Sequence, residues 1–212
     1  MGKESILFIV SAPSGAGKTS LCKEVVKLTP DLHFSISYTT RPPREHEIKG
    51  IDYCFVSLEE FQKMIESGQL IEWSEIYGNF YGTSKASVEE NRSKGRDIIF
   101  DIDPVGARSI KEIYRESVTI FILPPSPMEL EERLIQRGTD NEAVIKKRLK
   151  KARAEMEQAN WYKYRIVNDD FKSAVEQLKR IITAERLKEQ KKSRFTITSI
   201  KGEDCSYGED NS

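Results

Sequence analysis

The chain has 212 residues, of which 38% are hydrophobic and 32% are charged, and its 34 basic residues balance its 34 acidic ones. This composition is typical of one globular core domain with inserted subdomains, and the balanced charge does not indicate adhesion to nucleic acid or to a membrane surface. No run is apolar and long enough to predict a transmembrane helix, and the first residues lack a signal-peptide pattern. We therefore expect neither a nucleic-acid partner nor a membrane anchor.

The cysteines Cys22, Cys54 and Cys205 lie far apart along the chain and form no C-x-x-C pair. This usage indicates neither a disulfide framework nor a zinc site, and it favours a reducing compartment, so we expect a cytoplasmic protein. Cys22 falls within the first predicted helix, where we expect it to pack in the core.

The first predicted elements are a buried strand over Ile6–Val10, a glycine-rich turn and an amphipathic helix. The turn and the helix start contain Ala12-Pro13-Ser14-Gly15-Ala16-Gly17-Lys18-Thr19. Apart from the alanine at its first position, this run matches the phosphate-binding P-loop, whose glycines let backbone N–H groups turn toward phosphate oxygens. We expect a nucleoside triphosphate site in which Lys18 reaches the outer phosphates and the Thr19 hydroxyl binds Mg²⁺. A fortuitous glycine-rich turn is disfavoured because strand, loop and helix occur in the required order.

The stretch over residues 35–84 does not continue the order of strand followed by helix that begins the chain. Short strand-like pieces, Tyr53–Val56 and Leu70–Ile76, alternate with polar turns, which predicts an inserted, partly antiparallel lobe of mixed α+β structure. Within it, Arg41 and Arg44 lie on either side of a stiff Pro-Pro segment, and guanidinium forks suit phosphate oxygens. Taken singly, the charged and aromatic residues of this stretch are equally well explained as surface charge or half-buried packing.

The remaining elements alternate between strand and helix, as in a doubly wound parallel sheet. Further strands are predicted over Asp97–Ile102, Val118–Leu123 and Arg165–Val167, which gives four with the first. Helices are predicted over Val105–Tyr114, Met128–Arg137 (with Ser126 as N-cap), Asp140–Tyr162, and Phe171 to about Lys192. The predicted fold class is therefore α/β, a P-loop three-layer sandwich with a central parallel sheet.

Taken together, the motifs of the chain resemble those of the guanylate kinase family, most closely the bacterial enzymes. The resemblance rests on Ser-Ala-Pro-Ser-Gly-Ala-Gly-Lys-Thr, Thr-Thr-Arg-Pro-Pro-Arg, Asp-Tyr-Cys-Phe-Val, Gly-Asn-Phe-Tyr-Gly-Thr, Asp-Ile-Asp and Ile-Val-Asn-Asp-Asp, which follow the family's order between about Ile6 and Leu187. It implies reversible, Mg²⁺-dependent transfer of the γ-phosphoryl group of ATP to GMP, and to dGMP, giving ADP and GDP in purine nucleotide metabolism and GMP recycling.

The resemblance also implies a division of the chain. Residues 1–34 and 85–194 would form the P-loop core, with a helical lid at about 137–147, and residues 35–84 would form the GMP-binding lobe. Residues 195–212, of which Lys201–Ser212 are polar, would form a flexible C-terminal tail, and the protein would be a homodimer.

Individual roles follow by resemblance, at matching positions of this sequence. The GMP phosphate would be held by Arg41, Arg44, Tyr53 and Tyr81, the guanine would face Ser37, Glu72 and Thr83, and Glu47 and Asp101 would complete the GMP site. The ATP site would comprise Ala12, Pro13, Ser14, Gly15, Ala16, Gly17, Lys18 and Thr19, with Asn168 near the adenine and Asp101 near the metal through water. The catalytic charges would be Lys18, Arg41, Arg137 and Arg148.

The chemistry of these residue types agrees with that assignment. The carboxylate of Glu72 can accept hydrogen bonds from guanine N1–H and the 2-amino group, whereas adenine offers a lone pair and no amino group there. A buried mismatch of this kind discriminates by about 10⁴–10⁵. The nucleophile would be the GMP phosphate, whose second pKa is about 6, so no general base is required. We expect His33 and His46 to be surface or packing residues.

One departure and two alternatives remain. Pro104-Val105 stand where the bacterial family usually has Trp-Gln, which concerns local packing rather than activity. A non-catalytic phosphopeptide-binding module of guanylate kinase type would tend to lose the P-loop lysine or the lid arginines, and both are present here. A kinase for another small phosphate ester, such as a ribose bisphosphate, would not need the residues that face guanine.

Overall fold

The structure, a computed structural model, describes residues 4–136 and 142–201. Its strands are β1 (Leu7–Ser11), β2 (Leu32–Ser35), β3 (Tyr38–Thr39), β4 (Cys54–Phe55), β5 (Leu70–Ile76), β6 (Asn79–Ser84), β7 (Asp97–Asp101), β8 (Val118–Leu123) and β9 (Tyr164–Val167). Its α-helices are α1 (Lys18–Lys27), α2 (Leu58–Glu66), α3 (Lys85–Ser93), α4 (Pro104–Ile113), α5 (Pro127–Gln136), α6 (Glu142–Glu157) and α7 (Phe171–Lys201), and a 3-10 helix spans Gln158–Trp161.

A five-stranded parallel sheet in the order β2-β7-β1-β8-β9 forms the centre of the fold. Every residue of β1 is buried because apolar layers cover both faces of this sheet. One layer packs α1 and α7 against it, and the other includes α4 and the 3-10 helix. The structure therefore confirms the predicted α/β class with a central parallel sheet. Cys22 packs within the first layer, as the sequence predicts.

The number of strands in the central sheet was underpredicted. The sequence gives evidence for four, and the structure adds β2 at the edge beside β7. The burial of β2 explains the difference, because its two middle residues, His33 and Phe34, are only half-buried and the strand lacks the continuous apolar run of a central strand.

A second sheet, in the order β4-β3-β6-β5, forms the inserted lobe. Strands β3 and β5 each pair with β6 in antiparallel orientation, while β3 and β4 are parallel. Helix α2, which the sequence analysis missed, covers this sheet with the buried Phe61, whose ring lies 5.7 Å from that of Phe80. A reciprocal capping box between Ser57 and Glu60 starts this helix, and the Ser-x-x-Glu spacing is a readable signal for it.

Of three predicted helix boundaries, the structure confirms one and differs from two. Helix α5 begins behind Ser126, whose Oγ accepts the Glu129 N–H at 3.1 Å, so the predicted N-cap is confirmed. The helix predicted over Asp140–Tyr162 is wrong at its end, since α6 stops at Glu157 and a 3-10 turn follows. Helix α7 continues to Lys201 instead of ending near Lys192.

The Pro104-Val105 departure is accommodated at the start of α4. Proline at the first helical position needs no intrahelical partner for its nitrogen, and the Asp103 side chain accepts the Gly106 N–H as the N-cap. Val105 is 60% exposed, so no buried polar group depends on it. Of the helices in the described residues, none is long and apolar enough to cross a membrane.

Candidate active site

A cavity of about 280 Å³ opens between the carboxyl edge of the central sheet, the second sheet and α6. Loops after parallel strands meet at that edge, which is where α/β sheets bind ligands. The cavity is lined by many of the predicted site residues: Ala12, Pro13, Ser14, Gly15, Ala16, Gly17, Lys18, Thr19, Ser37, Arg41, Arg44, Tyr53, Glu72, Tyr81, Asp101 and Arg148. Residues separated by more than a hundred positions in the sequence therefore share one space.

The P-loop requires both of its glycines. Gly15 and Gly17 have φ of +97° and +85°, a region that disfavours side chains, and Gly17 precedes the first residue of α1. A Cβ at Gly17 would also lie 2.5 Å from the side-chain nitrogen of Asn168. That nitrogen donates to the Ala16 carbonyl at 2.8 Å, so Asn168 is buried against the back of the loop rather than in the cavity lining.

Lys18 is engaged with the end of β7. Its Nζ forms an ion pair with Asp101 and donates to the Ile102 carbonyl at 2.9 Å. The Asp101 side chain is 7% exposed, and the Thr19 hydroxyl belongs to the first turn of α1 beside the same cavity. Hydroxyl and carboxylate oxygens are the ligand types that Mg²⁺ prefers, usually with substrate phosphates.

A metal in this cavity would depend on such mixed ligation. Within residues 4–136 and 142–201, no group of three or more His, Cys, Asp or Glu side chains could hold an ion by itself. One hydroxyl and one carboxylate next to a phosphate-binding loop fit a cation that arrives with a nucleotide. The donor set is thus compatible with Mg²⁺ bound to ATP.

A cluster around Arg41 occupies the other side of the cavity. The guanidinium donates to Glu47 Oε1 at 2.8 Å and to the Tyr81 hydroxyl at 3.3 Å, and it lies 5.4 Å from the Tyr53 ring centroid. Glu47 also accepts the Arg44 N–H at 2.8 Å, while the Arg44 side chain is 56% exposed. Glu47 itself is outside the cavity lining and orients the arginine that lines it.

The protonation states in this cluster keep Glu47 paired with Arg41 and keep Tyr53 able to donate a hydrogen bond. Burial raises the pKa of Glu47, but the hydrogen bonds from Arg41 and from the Arg44 N–H outweigh it, so the pKa is lowered and the carboxylate stays charged. Burial raises the pKa of Tyr53 well above its usual value, which keeps its hydroxyl a hydrogen-bond donor. Hydrogen-bond donors of an arginine and of tyrosines therefore line the same side of the cavity.

Glu72 lines the cavity and is 6% exposed. Its Oε1 accepts the Thr83 hydroxyl at 2.5 Å, and Thr83 is behind it rather than in the lining. Burial raises the pKa of Glu72 to about 7, the nearby charge of Asp103 adds to this, and the Thr83 hydrogen bond opposes it. A side chain at Gly106 would collide with Glu72 Oε2, so glycine there makes room for the carboxylate.

Asp103 is the clearest residue that the sequence analysis missed. Its Oδ1 accepts the Ser74 hydroxyl at 3.1 Å and the Gly106 N–H at 3.1 Å, and both Asp103 and Ser74 line the cavity. The Asp-Ile-Asp motif contained the signal, because residues two apart at a strand end point to the same side. Only its first aspartate received a role.

Helix α6 contributes Arg148, which the resemblance predicts, and two residues that the sequence analysis missed, Lys151 and Glu155. Glu155 is buried and lines the cavity together with Ser14 of the P-loop, and burial raises the pKa of its carboxyl. Arg148 and Lys151 line the cavity from the same helix, next to Tyr77 of the second sheet.

Some predictions fall elsewhere. Arg137 lies outside the described residues, as do residues 138–141 of the predicted lid, while residues 142–147 belong to α6. His33 is half-buried in β2 and His46 is exposed, and neither lines the cavity, as the sequence predicts.

Comparison with known proteins gives a consistent result. The family model described as guanylate kinase matches residues 4–185. The chain is 52% identical to a guanylate kinase of Geobacter metallireducens over 186 residues, which is 88% of this chain and 92% of the relative. It is 43% identical to one of Clostridioides difficile, covering 95% of this chain and 98% of the relative. The crystal structure of guanylate kinase from Anaplasma phagocytophilum matches with a TM-score of 0.74 and 33% identity, over 87% of this chain and 88% of that one.

Proposed function

This chain belongs to the guanylate kinase family and phosphorylates GMP to GDP with ATP, and we propose that the cavity described above performs the transfer with Mg²⁺ and accepts dGMP as well. The observation that carries this proposal is the continuity of that cavity. It joins the P-loop around Lys18 to the arginine and tyrosine cluster around Arg41, and it also includes Glu72. A phosphate donor and a phosphate acceptor can thus meet in one cavity.

The GMP phosphate is proposed to bind Arg41, Arg44, Tyr53 and Tyr81. The contacts of Arg41 with Glu47 and Tyr81 support this role, because they fix the guanidinium before the substrate arrives. A preorganised charge needs little reorganisation when negative charge builds up in the reaction.

The guanine is proposed to bind at Glu72, which would accept from N1–H and the 2-amino group. Ser37 and Asp103 line the same cavity, and Thr83 orients the carboxylate from behind. dGMP carries the same base and the same phosphate as GMP, which supports its acceptance.

The ATP phosphates are proposed to bind the backbone N–H groups of the P-loop and Lys18. Asn168 remains in the ATP site as the residue that supports the loop, because its side chain pairs with the Ala16 carbonyl. Arg148, with Arg137, is proposed to supply positive charge to the transferring group. Such arginines contribute about 10³–10⁵ in rate.

Thr19 would hold Mg²⁺ directly and Asp101 would do so through water. The ion, when bound, would neutralise negative charge on the phosphate oxygens. For the protein's own residues, the reaction requires alignment and fixed charge rather than a covalent step. The GMP phosphate is largely ionised at neutral pH, since its second pKa is about 6, so the chain needs no general base.

The wider organisation is proposed as follows. Residues 1–34 and 85–194 form the core and residues 35–84 the GMP-binding lobe. Residues 137–147 form the lid, which includes the start of α6, and residues 195–212 form a tail, into which α7 extends as far as Lys201. The reaction takes place in the cytoplasm, which the free thiols of Cys22 and Cys54 support. A homodimer is proposed on family resemblance alone.

The decisive experiment is a coupled ADP-release assay with ATP and GMP, dGMP, AMP or UMP, at varied Mg²⁺ concentration. We expect turnover with GMP and dGMP, little with AMP or UMP, and loss of turnover when Mg²⁺ is chelated. Lys18→Ala should lower turnover by at least about 10²-fold while GMP binding is retained. Lys27→Ala, on the same helix with a 70% exposed side chain, is the matched control and should be fully active. Retained turnover in Lys18→Ala would contradict the assigned role.

A further inference from the structure

The ring of Tyr77 connects two parts of the cavity wall. Tyr77 lies in the turn between β5 and β6, and its ring centroid is 5.2 Å from the Arg148 guanidinium carbon and 5.1 Å from Lys151 Nζ, both on α6. All three side chains line the cavity. The electron-rich face of an aromatic ring attracts cations at this separation. One tyrosine in a turn of the second sheet thereby contacts two cations of α6, the helix whose first residues belong to the predicted lid.

The backbone at Tyr77 makes this contact more informative. Tyr77 and Gly78 have φ of 51° and 77°, so both central residues of the two-residue turn are left-handed. Turns of this type favour Asn-Gly or Gly-Gly, because a bulky side chain disfavours positive φ. Among the described non-glycine residues, Asp31 and Tyr77 alone have positive φ. The turn would form more readily with asparagine, so its own conformation does not explain the tyrosine.

Helix α6 follows the cavity wall from Arg148 to the P-loop side. Glu155, seven positions after Arg148, lines the cavity as Ser14 of the P-loop does, and its Oε1 lies 3.6 Å from Lys151 Nζ. The ring of Tyr77 thus contacts α6 at the residue that the helix presents to the cavity as a guanidinium.

We propose that Tyr77 is a positioning residue for phosphoryl transfer, whose ring holds the Arg148 guanidinium at the cavity. This inference rests on the proposed function, in which Arg148 acts on the transferring group. Arg148 stabilises charge that develops during the reaction, so its displacement lowers kcat. The GMP ligands lie on elements other than α6, and an asparagine at Tyr77 suits the turn between β5 and β6, so the KM for GMP should change little.

The test compares Tyr77→Asn, Tyr77→Phe and wild type in steady-state kinetics and thermal unfolding. Tyr77→Asn removes the ring but suits the turn, so it should unfold at the same or a higher temperature. Its kcat should fall about tenfold, as expected for loss of a ring that holds a guanidinium, with the KM for GMP within about twofold. Tyr77→Phe keeps the aromatic face and should retain kcat within about twofold. An unchanged kcat in Tyr77→Asn, or equal losses in both variants, would overturn the inference.

A double-mutant cycle with Arg148→Ala separates this inference from the proposed function. If Tyr77 acts through Arg148, adding Tyr77→Asn to Arg148→Ala lowers kcat no further. If the tyrosine substitution lowers kcat equally in both backgrounds, the positioning role is wrong and the role of Arg148 stands. If Arg148→Ala has wild-type kcat, the proposed role of Arg148 is wrong, and the positioning role is wrong with it.

Discussion

Replacing Glu72 with glutamine should stabilise the free protein while it impairs the reaction. The carboxyl group is 6% exposed, and its pKa in the fold is about 7 against an ordinary value of 4.5. Burial, the largest cause of this shift, penalises the charged form. Glutamine has a similar size and carries no charge, so it avoids the penalty and keeps a carbonyl oxygen that can accept from Thr83.

The size and sign of the effect follow from proton linkage. Because the folded pKa is raised, the folded protein binds more protons than the unfolded chain between about pH 4.5 and pH 7, so stability falls as the pH rises through this window. A shift of one pKa unit corresponds to about 1.4 kcal/mol. Above pH 7 the charged Glu72 therefore lowers the free energy of unfolding by about 3 kcal/mol relative to a neutral side chain. About 2 kcal/mol of it develops between pH 5.5 and pH 8.5.

Urea unfolding of wild type and Glu72→Gln at pH 5.5 and pH 8.5 measures this effect directly. The stability of the variant relative to wild type should increase by about 2 kcal/mol from the lower to the higher pH. Glu75→Gln, at an exposed position on the same strand, is the matched control and should show no such change. A pH-independent difference for Glu72→Gln would refute the reasoning. In the same variant, kcat/KM for GMP should fall by at least about 100-fold, since two buried hydrogen bonds to a charge are lost.

Three further predictions concern neighbouring residues. Guanosine has no titrating phosphate, so the pH dependence of its binding reports on Glu72. Its affinity should fall about tenfold for each pH unit below pH 7, where Glu72 is protonated. Calorimetry that finds a constant affinity between pH 5.5 and pH 7 would exclude this role of Glu72. Glu47→Gln should raise the KM for GMP about tenfold, because Arg41 loses its charged partner, and an unchanged KM would show that Arg41 is held by other contacts. Asn168→Ala should destabilise the protein by about 1–3 kcal/mol and raise the KM for ATP, because the Ala16 carbonyl loses its buried hydrogen-bond donor. Equal unfolding midpoints of variant and wild type in denaturant would show that Asn168 does not stabilise the P-loop.

The sequence predicts best those features that depend on neighbouring residues. The P-loop follows from Gly15, Gly17 and the apolar strand before them, since the conformation and the ligand groups lie within one short segment. The strands β1, β7 and β8 were also predicted, because both faces of the central sheet are covered and the inner residues of these strands are mainly apolar. Edge strand β2 was missed because its half-buried pattern does not differ enough from a turn.

Features that depend on contacts between distant segments could not be predicted. The raised pKa of Glu72 results from burial and from Asp103, which reaches it only after the second sheet has packed on the core. The contact of Tyr77 with Arg148 joins residues 71 positions apart. Nothing in the sequence around either residue indicates that the two side chains meet. Local patterns carry no information about such pairs, whereas the fold brings them together.

The central claim is that the GMP phosphate attacks the γ-phosphoryl group of ATP directly within one cavity, without a phosphorylated protein intermediate. The stereochemical course of transfer tests it most directly, with ATP made chiral by oxygen isotopes at the γ-phosphorus and the configuration of the GDP product determined. A single in-line displacement predicts inversion at phosphorus. Retention would require two successive displacements through a protein side chain and would contradict the account.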